Sequence, residues 1–398
     1  MSSDANTLTI MSPNSRESQV EFENAFKVKH PDVKFKWLDI GGSTEDLRFV
    51  VSQFQGKKEN QGVGIDAFFG GGSDSFIDMQ GQKMLQKLPS SYGVPATLSG
   101  MPIRDKDNYW VGAALSSFGI LYNKAIMARD NLPVPQKWAD MGNPKLKGRI
   151  ALADPRQSGS AHMAYEIILQ SNGWNKGWGI LTQMAGNARA FSKSSSGLLD
   201  DVSSGEAVAA PAIDFYASSK IRTAGGDKLG YVEPQGERVI TADPIGILRG
   251  APNAKLAQEF VAFVMSPQGQ KLWMMPVGAA GGPQSNALGR QPALPSMYKP
   301  IPQGSLITSD PYASKNNFTF DTQKAAARRR ALDDLIGAVL IDNLRDVQAK
   351  IPAKPNDFYV PIDEDGLTQV AAKWNDQTFR NAQISKWNQA ARTFFEAS

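Results

Sequence analysis

The chain has no cysteine among its 398 residues, and His30 and His162 are its only histidines. The missing thiols exclude disulfide bonds, thiolate metal sites and cysteine nucleophiles together. The scarcity of histidine argues against a transition-metal centre, because imidazole and thiolate are the ligands that such ions favour. The sequence therefore predicts no metal site and no cofactor.

Long apolar runs are missing as well. No segment of about 18 apolar residues occurs, so the sequence predicts no membrane-spanning helix and no direct membrane insertion. The opening residues Met1 to Asn6 show no basic and apolar leader. We expect that a signal peptide has been replaced by an initiator methionine.

The chain has no large excess of charge of one sign. Its 43 basic and 39 acidic residues give a formal net charge of +4. The densest basic cluster is Arg328, Arg329 and Arg330, inside a predicted helix, and we interpret it as a solvated helix face. Nucleic-acid-binding proteins usually concentrate Lys and Arg on one surface, so no nucleic-acid partner is predicted.

The composition that remains is typical of a globular protein with several domains. Hydrophobic residues make up 41% and charged residues 21% of the chain, which is enough to bury a large core. The length indicates two or three domains of ordinary size.

A strand, a loop and a helix follow one another three times near the start of the chain. The apolar segments Leu8 to Met11 and Ile65 to Phe69, and the segment Val33 to Ile40 in which apolar and polar residues alternate, are each followed by a loop of small or polar residues and a helical pattern. This order predicts a parallel sheet, whose loops meet at one edge where ligands bind. The candidate ligand-binding residues in these loops are Ser12, Asn14, Ser43, Thr44, Gly72 and Ser73. Ordinary helix capping is the alternative for each of them.

A second α/β region follows a long apolar segment, Trp110 to Tyr122. Strands are predicted at Gly148 to Ala153 and Ala207 to Phe215, and the chain then returns through Val239 to Leu248. The second region is thus inserted between two pieces of the first. Helical periodicity at Thr322 to Val347 and Leu367 to Glu396 predicts a C-terminal helical extension.

Four motifs in serial order carry a family resemblance over roughly residues 7 to 290. They are Phe118 to Lys124, Asp154-Pro155 with Ser158-Gly159-Ser160, Ile213 to Tyr216, and Ile240 to Ile245. In this order and spacing the chain resembles the extracellular solute-binding proteins of bacterial ABC importers. The branch that it resembles contains ferric-ion, hexose-phosphate and aminoethylphosphonate binders.

The resemblance implies an α/β fold of the type II periplasmic-binding-protein class, with two lobes of mixed sheet joined by two hinge strands. Lobe 1 would comprise residues 7–112 and 243–300, lobe 2 residues 113–242, and the C-terminal helical extension residues 301–398. It also implies a monomeric protein, periplasmic or on the cell surface, that is not an enzyme. Such a protein captures a small solute between its lobes and delivers it to the transmembrane subunits of an ABC permease.

The turn Ser158-Gly159-Ser160-Ala161 is the strongest candidate for the ligand site. Consecutive backbone N–H groups and two hydroxyls at a helix start can hold phosphate or carboxylate without a metal. Ser194 and Ser195 would offer a second helix start from the same lobe, and Ser116 is a further candidate on the crossing strand. We therefore expect a small anionic solute such as a phosphorylated sugar, a phosphonate or a similar organophosphate.

Three further candidates, Asp214, Tyr216 and Glu233, would suit sugar hydroxyls or an ammonium group. The two carboxylates also support an alternative function, a hydrolase of sugars or phosphate esters. No nucleophile elbow, phosphate-binding loop or zinc motif accompanies them, so no catalytic residue is assigned.

A ferric-ion, polyol or carboxylate binder of the same fold is a second alternative. Ferric sites in the resembled family use adjacent tyrosines, whereas this chain has Phe215-Tyr216. Asp154 and Asp243, each followed by proline, are interpreted as turn or boundary residues. His162 is interpreted as a helix-capping residue.

Overall fold

The computed structural model describes residues 4–313, 318–350 and 359–397. In it the chain divides into two compact units. The first unit holds the described residues up to Ser116 and those from Ile240 to position 313, and the second holds Ser117–Val239 and the described residues from 318 onward. The chain therefore enters the second unit within one long strand, and the helices of the C-terminal extension belong to that unit. The expected initiator methionine lies outside the described residues.

The strands and helices up to Gly81 alternate as the sequence patterns predict, and four strands follow, the last of which is the long crossing strand. In chain order they are β1 (Thr7–Met11), α1 (Arg16–Lys27), β2 (Lys34–Leu38), α2 (Ser43–Phe54), β3 (Ala67–Phe69), α3 (Ser73–Gly81), β4 (Leu85–Gln86), β5 (Thr97–Leu98), β6 (Met101–Pro102) and β7 (Val111–Asn123).

The elements after β7 belong first to the second unit and then to the first. They are α4 (Lys124–Arg129), β8 (Ile150–Ala153), α5 (Gly159–Asn172), α6 (Trp174–Asn187), β9 (Ala188–Ser192), α7 (Ser195–Ser204), β10 (Ala209–Ile213), α8 (Asp214–Ala224), β11 (Leu229–Val232), β12 (Ile240–Leu248), α9 (Ala254–Val264), α10 (Pro267–Met274) and β13 (Gln291–Pro292).

The extension contributes α11 (Thr322–Ile336), a π-helical turn (Gly337–Ile341), α12 (Leu344–Lys350), α13 (Glu364–Ala371) and α14 (Gln377–Ala397). Helix α11 packs against α5 and α13, and α12 packs against α6. A Cβ atom on Gly337 would lie 2.5 Å from the Arg156 guanidinium, so a larger residue at this position would displace the Arg156 side chain. The extension is thereby built into the second unit.

The sheet of the first unit is mixed. Strand β1 is parallel to both β2 and β3, and β12 runs antiparallel to β3. Successive side chains of β3 point to opposite faces, so Phe69 joins the core formed with α1, α9 and α10 while Phe68 joins the core under α2 and α3. Strands that are covered on both faces read as continuous apolar runs, which explains the pattern at Ala67–Phe69.

The sheet of the second unit brings three strand ends to one edge. Strand β8 is parallel to β9 and to β10, whereas β10 and β11 are antiparallel to β7. The carboxyl ends of β8, β9 and β10 therefore lie on the same side, and helices α5, α7 and α8 begin just beyond them. This edge is the place where parallel α/β sheets bind ligands.

The basic cluster of the extension is not a solvated face. The side chain of Arg328 is 0% exposed and bonds Glu166 of α5 at 2.6 Å, whereas Arg329 is half-buried and Arg330 is exposed. The sequence interpretation was wrong for Arg328, because its anionic partner lies 162 residues away along the chain. Across the described ranges, no helix is long and apolar enough to cross a membrane.

Candidate functional site

Two helices of the second unit begin side by side at the edge of its sheet. Helix α5 follows β8 and helix α7 follows β9, and the Oγ atoms of Ser158 and Ser195 are 2.5 Å apart. Each helix carries partial positive charge at its N-terminus. The structure thus brings together the two helix starts that the sequence proposed separately.

The first turns of α5 and α7 differ in how their backbone N–H groups are used. The Ala161 N–H donates to the Ser158 Oγ at 3.2 Å, so Ser158 caps α5. Ser194 forms no such side-chain cap on α7. An anion at the start of α5 would have to replace the neutral Ser158 acceptor at Ala161, an exchange favoured because charged acceptors form the stronger bond.

A pocket opens beside these helix starts. The cavity is small, about 10 Å³ for the centres of water-sized molecules, and Ser160, Ala161, Ser195 and Tyr216 line it together with apolar side chains such as Phe118. Among the residues that the structure describes, no Asp or Glu lines it. Apolar walls lower the local dielectric constant and so strengthen the attraction between an anion and the helix N-termini.

The predicted carboxylates lie near one another, around Tyr231. Asp214 is the first residue of α8 and not the end of the preceding strand. Glu233 accepts hydrogen bonds from Ser117 and from Arg238, the latter at 2.5 Å. Burial raises the pKa of Tyr231, and the charges of Asp214 and Glu233 raise it further. The negative charge of Glu233 is therefore balanced by Arg238.

In the first unit, Ser12 is committed to holding two strands together. Its Oγ donates to the Phe69 carbonyl at 2.6 Å and is itself accepting from the Asn14 N–H at 3.2 Å. Gly72 precedes α3 without a side-chain cap, and Ser73 is the buried first residue of that helix. The bonds of Ser12 thus join the loop after β1 to the end of β3.

The loop between β2 and α2, which precedes Ser43 and Thr44, is acidic. Asp39 accepts from two backbone N–H groups at 3.0 and 2.9 Å, and Asp46 accepts from a third at 2.6 Å, all three within residues 40–42. These donors are occupied, and two carboxylates stand where an anion would approach. The start of α2 is therefore a poorer anion site than the starts of α5 and α7.

Asp46 predicts an unusual dependence of stability on pH. Burial raises its pKa to about 7, although the backbone hydrogen bond from Ile40 lowers it. The folded chain keeps this proton to a higher pH than the unfolded chain does, so the free energy of unfolding should fall between about pH 4 and about pH 7. We expect Asp46→Asn to raise the Tm by several degrees at pH 8 and to change it less at pH 5.

Differential scanning calorimetry at the two pH values measures this effect. Glu45→Gln, in the same helical turn but exposed, is the matched control; because Glu45 contributes least to the raised pKa of Asp46, its pH-dependent gain should be much smaller. An equal change in Tm at both pH values for Asp46→Asn would contradict the assignment.

A buried arginine in the first unit was missed by the sequence analysis. Arg290 donates to Asn14 Oδ1 at 3.2 Å, to Ser116 Oγ at 3.4 Å and to Asp243 Oδ2 at 2.5 Å. Asp243 is therefore a buried ion-pair partner inside β12 and not a turn residue. Arg290 directly precedes β13 in the chain, and no spacing of residues in the sequence marks it as buried.

His162 does not cap α5. It is buried in the first turn of that helix, where its Nδ1 bonds Asp333 of α11. Burial opposes protonation of His162, but the Asp333 carboxylate outweighs it and raises the pKa of the imidazole. In the parts of the chain that the structure covers, no group of three or more His, Cys, Asp or Glu side chains could hold a metal ion.

Known proteins with similar sequences include a transport protein. The phosphoglycerate transport regulatory protein PgtC of Salmonella typhimurium is 31% identical over 188 residues, 47% of this chain and 46% of that protein. The match thus spans about half the length of that relative. An uncharacterised protein of Haemophilus influenzae is 26% identical over 258 residues, 62% of this chain and 69% of that protein.

Solved structures with the same fold are periplasmic and substrate-binding proteins. The periplasmic binding protein AfuA from Actinobacillus pleuropneumoniae, with fructose-6-phosphate bound, has a TM-score of 0.67 at 20% identity, covering 84% of this chain and 98% of that one. An ABC-transporter substrate-binding protein from Agrobacterium tumefaciens has a TM-score of 0.60 at 17% identity and covers 97% of this chain and 96% of that one. The predicted fold class is confirmed.

The family assignment comes from the sequence of residues 63–278, which match the bacterial extracellular solute-binding proteins. This segment is more than half of the chain and includes the helix starts at Ser158 and Ser195. The chain belongs to the bacterial extracellular solute-binding proteins.

Proposed function

We propose that this protein captures a small organophosphate and delivers it to the permease subunits of an ABC importer in the periplasm, as a monomer that catalyses no reaction. The phosphate or phosphonate group would sit where helices α5 and α7 begin. Asp214 and Tyr216 would contact the rest of the solute. The names of PgtC and of the AfuA complex, one citing phosphoglycerate and the other a sugar phosphate, support this ligand class.

The observation that carries the proposal is the contact between Ser158 and Ser195. The Oγ atom of Ser158, which caps α5, lies 2.5 Å from the Oγ atom of Ser195, the first residue of α7. The positive ends of the two helix dipoles therefore lie close together. The backbone N–H groups and hydroxyls there are donors of the kind that bind phosphate. The adjoining pocket, without Asp or Glu in its lining, adds no repulsion.

The number of donors is sufficient for a transport receptor. Micromolar affinity corresponds to about 8 kcal/mol. A hydrogen bond to a charged group contributes about 1.5 to 3 kcal/mol, so four to six such bonds would reach that affinity even after ordering costs. No metal ion is required for binding of this strength.

Thermal-shift screening of the purified chain tests the ligand class. The panel contains fructose 6-phosphate, 3-phosphoglycerate, 2-aminoethylphosphonate, polyols, simple carboxylates and ferric ion. We expect the phosphorylated compounds to raise the Tm, since a ligand that binds only the folded state stabilises it. Stabilisation by ferric ion alone would rule out the proposal, and release of inorganic phosphate from the bound ester would favour the hydrolase.

Removing the two serine hydroxyls should weaken binding of the best phosphorylated compound. We expect Ser158→Ala with Ser195→Ala to raise the Kd by at least about tenfold in isothermal titration calorimetry, since hydrogen bonds to a charged group are lost. Ser266→Ala is the matched control, because Ser266 caps α10 in the first unit through a 3.1 Å bond from Gly269. An unchanged Kd in the double variant would remove these helix starts from the site.

A further inference from the structure

The C-terminal extension contacts the loop and first helical turn that form the proposed anion site. Asp342, just after the π-helical turn, accepts from Arg156 at 3.3 Å. Asp333 of α11 bonds His162. Both contacts fall within residues 156–162, on either side of the Ser158 cap. The extension therefore packs on the segment that would hold the ligand.

A third contact places positive charge at the start of α5. The Nη2 atom of Arg329, on α11, lies 3.7 Å from the position that a Cβ atom on Gly159 would occupy. Cα–Cβ bonds in a helix tilt toward its N-terminus. The guanidinium of Arg329 therefore lies beside the first residue of α5, close to the positive end of that helix.

We propose that Arg329 binds the anionic head group of the solute beside the starts of α5 and α7, which makes the C-terminal extension part of the ligand site. This inference rests on the function proposed above. It narrows the ligand class to head groups that carry two negative charges, a phosphate monoester or a phosphonate. A singly charged carboxylate or sulfate ester gains less from the added cation.

The surroundings of Arg329 favour such a partner. Burial lowers the pKa of its guanidinium, and the charge of Asp333 opposes that effect. An arginine remains charged at every pH at which a protein is folded. Arg329 therefore keeps its positive charge beside the start of α5 at both pH values of the test described below.

The three consecutive arginines of α11 have separate environments. Arg328 is fully buried against Glu166 of α5. Arg330 is exposed and donates to Asn375 at 3.1 Å. Only Arg329 reaches Gly159, so Arg330 provides a matched control with the same side chain one position further along the helix.

Isothermal titration calorimetry with fructose 6-phosphate, 3-phosphoglycerate and 2-aminoethylphosphonate at pH 5.0 and pH 7.5 tests the inference. The second ionisation of a phosphate monoester occurs near pH 6, so the dianion prevails at the higher pH. We expect Arg329→Gln to weaken binding of the tightest compound by about 10- to 100-fold at pH 7.5, and by clearly less at pH 5.0. Arg329→Lys should recover part of the affinity and of its pH dependence, and Arg330→Gln should change neither.

The serine variants separate this inference from the proposed function. If Ser158→Ala with Ser195→Ala weakens binding while Arg329→Gln retains wild-type affinity at both pH values, the role of Arg329 is refuted and the helix starts remain the site. If neither set of substitutions alters a measurable affinity, both proposals fail. The Tm of the ligand-free Arg329→Gln protein is measured in parallel, and a wild-type value excludes loss of folding as the cause of weaker binding.

Discussion

Arg328→Ala is expected to destabilise the second unit by about 3 to 5 kcal/mol, one of the two largest effects that we predict. The Arg328 side chain is 0% exposed, and it donates to Glu166 at 2.6 Å and to Glu364 at 3.0 Å. Its guanidinium also lies 5.4 Å from the ring centroid of Trp174. Truncation would leave the Glu166 carboxylate buried without this cation and would open a cavity between α5 and α11.

Urea unfolding followed by circular dichroism measures the loss. Arg330→Ala is the control, since the exposed Arg330 bonds only a surface amide and should cost less than about 1 kcal/mol. The double variant Arg328→Met with Glu166→Leu removes both charges and should recover much of the lost stability, because apolar side chains of similar size replace buried ion pairs well. A cost for Arg328→Ala as small as that of Arg330→Ala would show that the pair does not hold the extension in place.

Arg290→Ala should have the second large effect and should lower the free energy of unfolding by about 3 to 5 kcal/mol at pH 8. Arg290 bonds Asp243, Asn14 and Ser116 within the first unit, and its guanidinium lies 5.0 Å from the ring centroid of Trp273. Without Arg290 the Asp243 carboxylate would remain buried as an uncompensated charge. The cost should therefore depend on whether Asp243 is ionised.

The pH dependence of this cost has a definite sign. Burial already raises the pKa of Asp243, although Arg290 opposes that effect, so removing Arg290 raises the pKa further. When the pKa of an aspartate is higher in the folded than in the unfolded state, the free energy of unfolding falls as the pH increases from the unfolded-state pKa toward the folded-state pKa. The destabilisation by Arg290→Ala should thus be smaller at pH 5 than at pH 8.

Chemical unfolding of Arg290→Ala at both pH values checks this expectation. Adding Asp243→Asn to Arg290→Ala removes the buried charge and should abolish most of the pH dependence, so the double variant is the control. If Arg290→Ala lowers the free energy of unfolding equally at pH 5 and pH 8, the ionisation of Asp243 is not the cause of the destabilisation.

Short-range patterns determined most of the fold. The apolar segments at Leu8 to Met11 and Ile65 to Phe69 became β1 and β3, because strands buried on both faces need continuous hydrophobic residues. Serines preceding apolar helical patterns located the starts of α5 and α7. Each of these signals lies within about a dozen residues of the structure that it specifies, and a sequence displays such signals directly.

The candidate site was predictable in its components. The serine turns at 158–161 and 194–195 were recognised as two helix starts of the same lobe, whereas the rule for parallel strands was applied only to the loops of the first region. Their direct contact, and the acidic loop that occupies the donors before Ser43, depend on side-chain positions that no local pattern encodes. The assignment of these residues to ligand binding stays a prediction.

The sequence by itself determined the absence of thiol chemistry, the alternation of strands and helices, and the family of the chain. Only the tertiary structure decided which charged residues are buried and with which partners: Arg328 pairs with a residue 162 positions away, His162 with one 171 positions away, and Arg290 with one 47 positions away. The physical reason is that the ionic state and burial of a side chain depend on groups that folding brings near it. These groups are distant in the sequence and produce no pattern in the residues around that side chain. For the same reason, only the tertiary structure showed that Asp342 and Asp333 of the extension contact Arg156 and His162 near the start of α5.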